Sequence, residues 1–84
     1  MYEIILADEA KKQLSSLNTG ARERIGLAFE RIKVRPHKFT KRLYGSKYYR
    51  LRVDNYRIIL VILDTQLIIY VIEIGYRESI YNKF

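Results

Sequence analysis

The chain opens on a short apolar run, residues 2–6 (Tyr-Glu-Ile-Ile-Leu), that reads as a strand. Asp8 follows as a candidate helix N-cap, with Glu9 in the first turn, where a carboxylate suits the helix dipole. Ala10, Leu14 and Leu17 then fall at i, i+4 and i+7, and Asn18-Thr19-Gly20 supplies a stop, so residues 9–17 predict a helix of about two to three turns. The next segment repeats the period, with Ala21, Ile25, Ala28, Phe29 and Ile32 on one stripe, Arg22, Glu23, Glu30 and Arg31 off it, and Pro36 as the stop. Two amphipathic helices joined by a short polar link form an antiparallel hairpin whose common stripe needs a surface to cover. Residues 43–74 supply that surface: they are rich in Ile, Val, Leu and Tyr and are interrupted by Gly45, Asp54-Asn55 and Asp64-Thr65-Gln66. Strands are predicted at 48–53, 56–63 and 67–74, antiparallel because no crossover fits between them, with the first strand joining one edge. Gly75 reads as a bend before a tail of residues 76–84. The expected fold is α+β in one domain over residues 1–84: an N-terminal strand, then an antiparallel helical hairpin packed on one face of a mostly antiparallel four-stranded sheet.

Composition narrows the chemistry. Hydrophobic residues are 49% of the chain and charged residues 30%, enough apolar surface to close a core. With no cysteine and one histidine, neither disulfides, thiolate metal sites nor imidazole clusters can form, and no metal or other cofactor is expected. Glu3, Asp8, Glu9, Glu23 and Glu30 read as solvated charges, not as a carboxylate metal site. The longest apolar runs, at 58–63 and 67–72, fall far short of the roughly 20 residues needed to span a bilayer. No basic segment followed by an apolar one marks the N-terminus as a secretory signal, so a cytoplasmic protein without membrane association is expected.

Charge then picks out one third of the chain. The formal net charge is +7, and residues 31–57 alone hold ten bases against the single acid Asp54. Tyr44, Tyr48, Tyr49 and Tyr56 lie among those bases, the usual footprint of a polyanionic ligand. A surface kept basic for solubility is the plainer reading, but solubility gives no reason to segregate the charge. Alternation places Tyr49, Leu51 and Val53 on one face of a strand and Arg50 and Arg52 on the other. With Asp54-Asn55 at the centre of a hairpin turn, Val53 pairs with Tyr56, Arg52 with Arg57 and Leu51 with Ile58. Two arginines then stand opposite each other, an unfavourable cross-strand pair. Either both splay into water or are neutralised by Glu73 or Glu78, or they hold an anion, with Arg77 and Tyr81 joining them if the tail folds back. His37, beside Pro36 in a basic loop, reads as a surface residue, since one imidazole cannot serve as both acid and base.

Lys41-Arg42-Leu43-Tyr44-Gly45, Tyr49-Arg50-Leu51-Arg52-Val53, Tyr56-Arg57-Ile58-Ile59, Leu63-Asp64 and Ile74-Gly75-Tyr76-Arg77-Glu78 with Tyr81 together resemble the RelE branch of the RelE/ParE toxin superfamily. The resemblance covers essentially the whole chain and implies the same order of strand, helical hairpin and antiparallel sheet. It implies a toxin of a type II toxin-antitoxin system that enters the ribosomal A site and cleaves mRNA there without metal, by attack of the ribose 2′-hydroxyl on the adjacent phosphate. The catalytic positions it carries over are Arg50, Arg52, Arg57, Arg77 and Tyr81, while Lys38, Lys41, Arg42 and Lys47 would contact RNA, including ribosomal RNA. The implied partners are a small acidic RelB-like antitoxin, forming a hetero-oligomer with the toxin, and the ribosome with its message. Where the best-known member of the branch carries lysines, this chain has Arg50 and Arg52, which carry charge well and protons poorly. Tyr81 is then the candidate base, its phenol lowered by surrounding arginines. A ParE-like inhibitor of DNA gyrase and a non-catalytic RNA- or antitoxin-binding relative are the alternatives, and Arg57, Arg77 and Tyr81 occurring together favour the nuclease.

Overall fold

A computed structural model describes residues 1–76; the catalytic candidates Arg77 and Tyr81, and the neutralising candidate Glu78, lie outside them. The order is β1 (Glu3–Leu6), α1 (Asp8–Ser15), α2 (Thr19–Val34), α3 (Pro36–Phe39), β2 (Thr40–Arg42), β3 (Tyr49–Val53), β4 (Tyr56–Leu63) and β5 (Ile68–Tyr76). The sheet has five strands in the order β1-β5-β4-β3-β2, antiparallel except for β1, which runs parallel to β5. The class is the expected α+β, with a strand more than the four expected. The extra strand β2 is three residues long and shows no alternation for a sequence reading to find. The short α3 follows because Pro36, which cannot continue α2, is preorganised for the first turn of a new helix.

Local chemistry explains the helix ends, with two corrections. Asp8 is the first residue of α1 and not its cap; Ala7 holds the cap position and makes no side-chain bond, so Asp8 and Glu9 meet the helix start through the dipole. Asn18 starts the second helix instead of stopping the first, its Oδ1 accepting the Ala21 N–H at 2.8 Å. The predicted stripe of α2 is confirmed in full: Ala21, Ile25, Ala28, Phe29 and Ile32 are all buried. With Ala10 of α1 they cover Leu51, Val53, Ile58, Leu60, Ile69, Val71 and Ile74 of the sheet.

The sheet face is kept consistent by a bulge. Ile59 pairs with Glu73 while Leu60 pairs with Val71, which leaves Ile72 as the extra residue of β5. Val71 and Ile74, three residues apart, both enter the core for that reason. Gly75 is not a bend: β5 runs through it to Tyr76, and it pairs with Arg57. Past the last β1 pair, Leu6 with Val71, the edge of β5 is completed by a side chain. Gln13 Oε1 accepts the Ile74 N–H at 2.6 Å, and its amide nitrogen donates to the Glu73 carboxylate.

A second polar tie closes the opposite end. Tyr2 Oη donates to Asp64 Oδ1 at 2.7 Å, and His37 Nε2 lies 2.9 Å from the same oxygen and packs edge-on against Tyr49. The chain start, α3 and the β4–β5 turn are thereby joined, which gives His37 a structural role. The bonds from Tyr2 and His37 hold the Asp64 carboxyl below its ordinary value, and the bond to Asp64 holds the Tyr2 phenol above its own. A lowered carboxyl stabilises the fold above about pH 4 and loses that contribution as pH falls through the folded value. A raised phenol contributes below about pH 10 and loses its share as pH rises past that. Asp64→Asn is therefore expected to flatten the acid side of the stability profile. Denaturant titrations between about pH 5 and pH 3 check this; equal acid sensitivity in both proteins would remove Asp64 from the account.

Candidate nucleic-acid interface

The register of the β3–β4 hairpin positions the site. Val53 pairs with Tyr56, Arg52 with Arg57 and Leu51 with Ile58, as the sequence predicts. Asp54 has φ 53° and Asn55 is not in the left-handed region, the sign pattern of a type II′ turn. Because Leu51, Val53, Tyr56 and Ile58 face the helices, Arg50, Arg52, Arg57 and Ile59 stand on the other face. β2 adds a second like-charge pair there, Lys41 opposite Arg50. Two rows of cations thus cross neighbouring strands, and each row is a repulsive pair.

Arg52 is exposed and makes no hydrogen bond or ion pair among the described residues. Arg57 is only 3% exposed. Its Nη1 donates to the Tyr56 carbonyl at 3.2 Å and lies 3.5 Å from the Asp54 carbonyl, while its Nε is buried without an acceptor among the described residues. A dry N–H of this kind costs on the order of 1–3 kcal/mol, so Arg57 is a cation whose donors are incompletely used. Arg57 takes the expected register and face but is buried, not exposed. Gly75, opposite Arg57 on β5, contributes no side chain to that part of the face.

Asp54, the lone acid of the basic stretch, forms an ion pair with Arg24 of α2. Glu73 occupies the row of Arg50 with Ile59 between them, and it receives the Gln13 amide. Lys38, Phe39, Thr40, Lys41, Arg50 and Arg52 line a cleft of about 300 Å³. This is a shape suited to phosphate oxygens beside one aromatic ring.

The predicted RNA contacts divide. Lys38 and Lys41 line the cleft. Arg42 is turned away, its Nε donating to the Ser46 carbonyl at 2.8 Å, and Lys47 sits over the Tyr48 ring at 5.6 Å, so both serve the β2–β3 loop. Phe39 and Thr40 were missed because Pro36 reads only as a stop. Tyr76 was missed too: its ring stacks on Tyr56 at 4.8 Å, and the hydroxyl contact between them raises the Tyr56 phenol. Only the strand register, which pairs residue 56 with residue 76, brings them together.

Comparison with known proteins places this geometry in context. A family model described as ParE toxin of type II toxin-antitoxin system, parDE, matches residues 4–81. No curated protein matches the chain at a significant level. The fold is similar to the isolated E. coli RelE toxin, with 21% identity over 99% of this chain and 94% of that one and a TM-score of 0.81. It is also similar to the RelB-RelE antitoxin-toxin complex from Methanococcus jannaschii, with 27% identity over 95% of this chain and 98% of that one and a TM-score of 0.72. The archaeal RelE-RelB complex from Pyrococcus horikoshii OT3 gives 23% identity over 90% and 94% of the respective chains and a TM-score of 0.79.

The cross-strand repulsion yields a prediction about stability. Replacing exposed Arg52 with an acid turns a like-charge pair with Arg57 into an opposite-charge one. Arg52→Glu is expected to stabilise the chain by a few tenths to about 1 kcal/mol at low salt, with the gain shrinking as salt rises. Urea titrations at two ionic strengths measure it. A destabilised or unchanged variant would show that the two guanidinium groups do not interact.

Proposed function

This chain belongs to the ParE toxin family of type II toxin-antitoxin systems, within the RelE/ParE superfamily, and on that premise we propose that it is a ribosome-dependent endoribonuclease held inactive by a small acidic RelB-type antitoxin. The observation that carries the reading is the pair of cationic rows, Lys41 with Arg50 and Arg52 with Arg57, beside a cleft on the face away from the helices. A fold gains nothing from opposing like charges; a phosphate placed between them turns the repulsion into binding. Solved relatives in complex with RelB antitoxins support the partner.

Strand cleavage by the 2′-hydroxyl needs a base for that hydroxyl, positive charge on the non-bridging oxygens of the pentavalent phosphate, and charge or a proton for the leaving 5′-oxygen. Arg57 and Arg77 would hold the phosphate. Arg50 and Arg52 stabilise the developing charge without transferring protons. Tyr81 takes the 2′-hydroxyl proton as the base. Lys38 and Lys41, on the cleft wall, bind flanking phosphates of the message or ribosomal RNA. The second reading is a ParE-like inhibitor of DNA gyrase, the matching family being described as ParE toxin; it would act through protein contact and have no use for a phosphate cleft.

Mapping of 5′ ends after induction separates the two. The nuclease reading expects new ends inside translated codons, absent when the start codon is removed, and no DNA breaks; unchanged messages with loss of supercoiling would assign the gyrase function instead. In single-turnover cleavage of programmed ribosomes at saturating toxin, Arg57→Ala is expected to abolish cutting. Tyr81→Phe is expected to lower the rate by roughly 10² to 10⁴ while ribosome binding persists. A full rate in Tyr81→Phe removes it as the base.

A further inference from the structure

The two edges of the sheet are guarded differently. At one edge β2 is three residues long and carries Lys41 and Arg42, and short length and cations both keep a bare strand from pairing with another chain. At the other edge β1 has neither cation nor proline, and three of its four residues are Ile4, Ile5 and Leu6. Its backbone is only half used. Glu3 N–H donates to the Leu67 carbonyl at 2.9 Å and Ala7 N–H to the Val71 carbonyl at 2.8 Å, so in this parallel ladder residues 3, 5 and 7 face β5. Ile4 and Leu6 therefore direct their N–H and C=O groups outward. Tyr2 N–H shares that direction and is taken by the Lys33 carbonyl at 2.8 Å, but Ile4 and Leu6 have no backbone partner there among the described residues. On the face away from the helices, apolar side chains continue up to this edge: Ile5 is 38% exposed, its neighbour Tyr70 on β5 40% and Leu63 on β4 37%.

A strand of this pattern is complementary to itself. Antiparallel pairing about a two-fold axis at Ile5 sets Ile4 of each copy against Leu6 of the other as hydrogen-bonded pairs, which uses every outward N–H, and brings the two Ile5 side chains together as the close, non-hydrogen-bonded pair. Glu3 then falls opposite Ala7, so no like charges meet across the seam. The same operation on β2 would oppose Lys41 with Lys41. Asp8 and Glu9, in the first turn of α1, come beside Tyr2 of the other copy, whose bond to Lys33 lies at the basic last turn of α2. The net charge of +7 does not oppose this contact, because β1 lies at the far edge of the sheet from the cationic strands. Five strand spacings would separate the two Arg57 residues, about 24 Å, or roughly three Debye lengths at physiological salt. We propose that the β1 edge pairs with β1 of a second copy, joining two five-stranded sheets into one, with Ile5 and Tyr70 of both copies forming a continuous apolar band over the axis. The axis stands perpendicular to the sheet, so the dimer turns both arginine faces to the same side. This association goes beyond the nuclease reading and does not depend on it.

Sedimentation velocity on the whole chain, from micromolar to near-millimolar concentration, is expected to show monomer giving way to dimer. Amide hydrogen exchange at the two ends of that range is expected to slow at Ile4 and Leu6 as the dimer forms, and not at β2. Ile5→Lys changes a side chain outside the core, so circular dichroism is expected to keep the native signal. It sets two cations against each other at the axis and removes apolar surface, and is expected to weaken association by about tenfold or more. Leu27→Gln, on the exposed side of α2, is expected to leave the dimer unchanged. A monomer at every concentration, or a dimer that persists in Ile5→Lys while Ile4 and Leu6 exchange as fast as in the monomer, would overturn the pairing. Loss of the dimer in Leu27→Gln would overturn it too, by moving the contact to α2. Message cleavage enters none of these readouts, so the pairing and the nuclease reading fail separately.

Discussion

A side chain in a strand has only two faces to choose from, and the β3–β4 hairpin makes that choice for every charged group in the site. Asp54 in the left-handed region closes the turn in two residues and pairs Val53 with Tyr56. A slip of one residue would drive Arg50, Arg52 and Arg57 toward Ile25, Ile32 and Phe29, and bring Leu51 and Ile58 out to water. Driving these cations into an apolar core is far costlier than any local gain, so the register is fixed by the core as much as by the turn. The cationic face is therefore a consequence of packing: whatever covers α2's stripe leaves arginine on the reverse.

The same logic explains which features could be read from the sequence. The α2 stripe and the hairpin register are periodic, and period is what burial writes into a sequence. Bulge, edge and end effects leave no such mark. Ile72 looks like any other apolar residue of β5, yet it is the insertion that lets Val71 and Ile74 share a face. Thr40–Arg42 has no apolar residue at all and is a strand only because β3 offers it a partner. Gln13, placed on a helix by its sequence neighbours, completes a sheet edge sixty-one positions away. Arg57 shows the limit most directly, since its face followed from alternation while its burial depended on the surrounding three-dimensional packing.

Charge and apolar surface are divided between two connected depressions. On the reverse of the sheet, cations oppose cations; on the outer side of α2, aliphatic side chains are ringed by cations. Lys38 and Phe39, carried by the short α3, belong to both. The tie from His37 and Tyr2 to Asp64 anchors that same helix to the far end of the sheet. α3 is thus held in place between the two depressions.

The claim that the rest leans on is that Arg52 and Arg57 are kept opposite each other for an anion. A double-mutant cycle on folding stability, with Arg52→Met, Arg57→Met and the double variant, measures their coupling free of the rest of the fold. Run at matched ionic strength in chloride and in saturating sulfate, it is predicted to give a repulsive coupling of a few tenths to about 1 kcal/mol in chloride that vanishes or becomes favourable in sulfate. The same coupling in both salts would contradict the account.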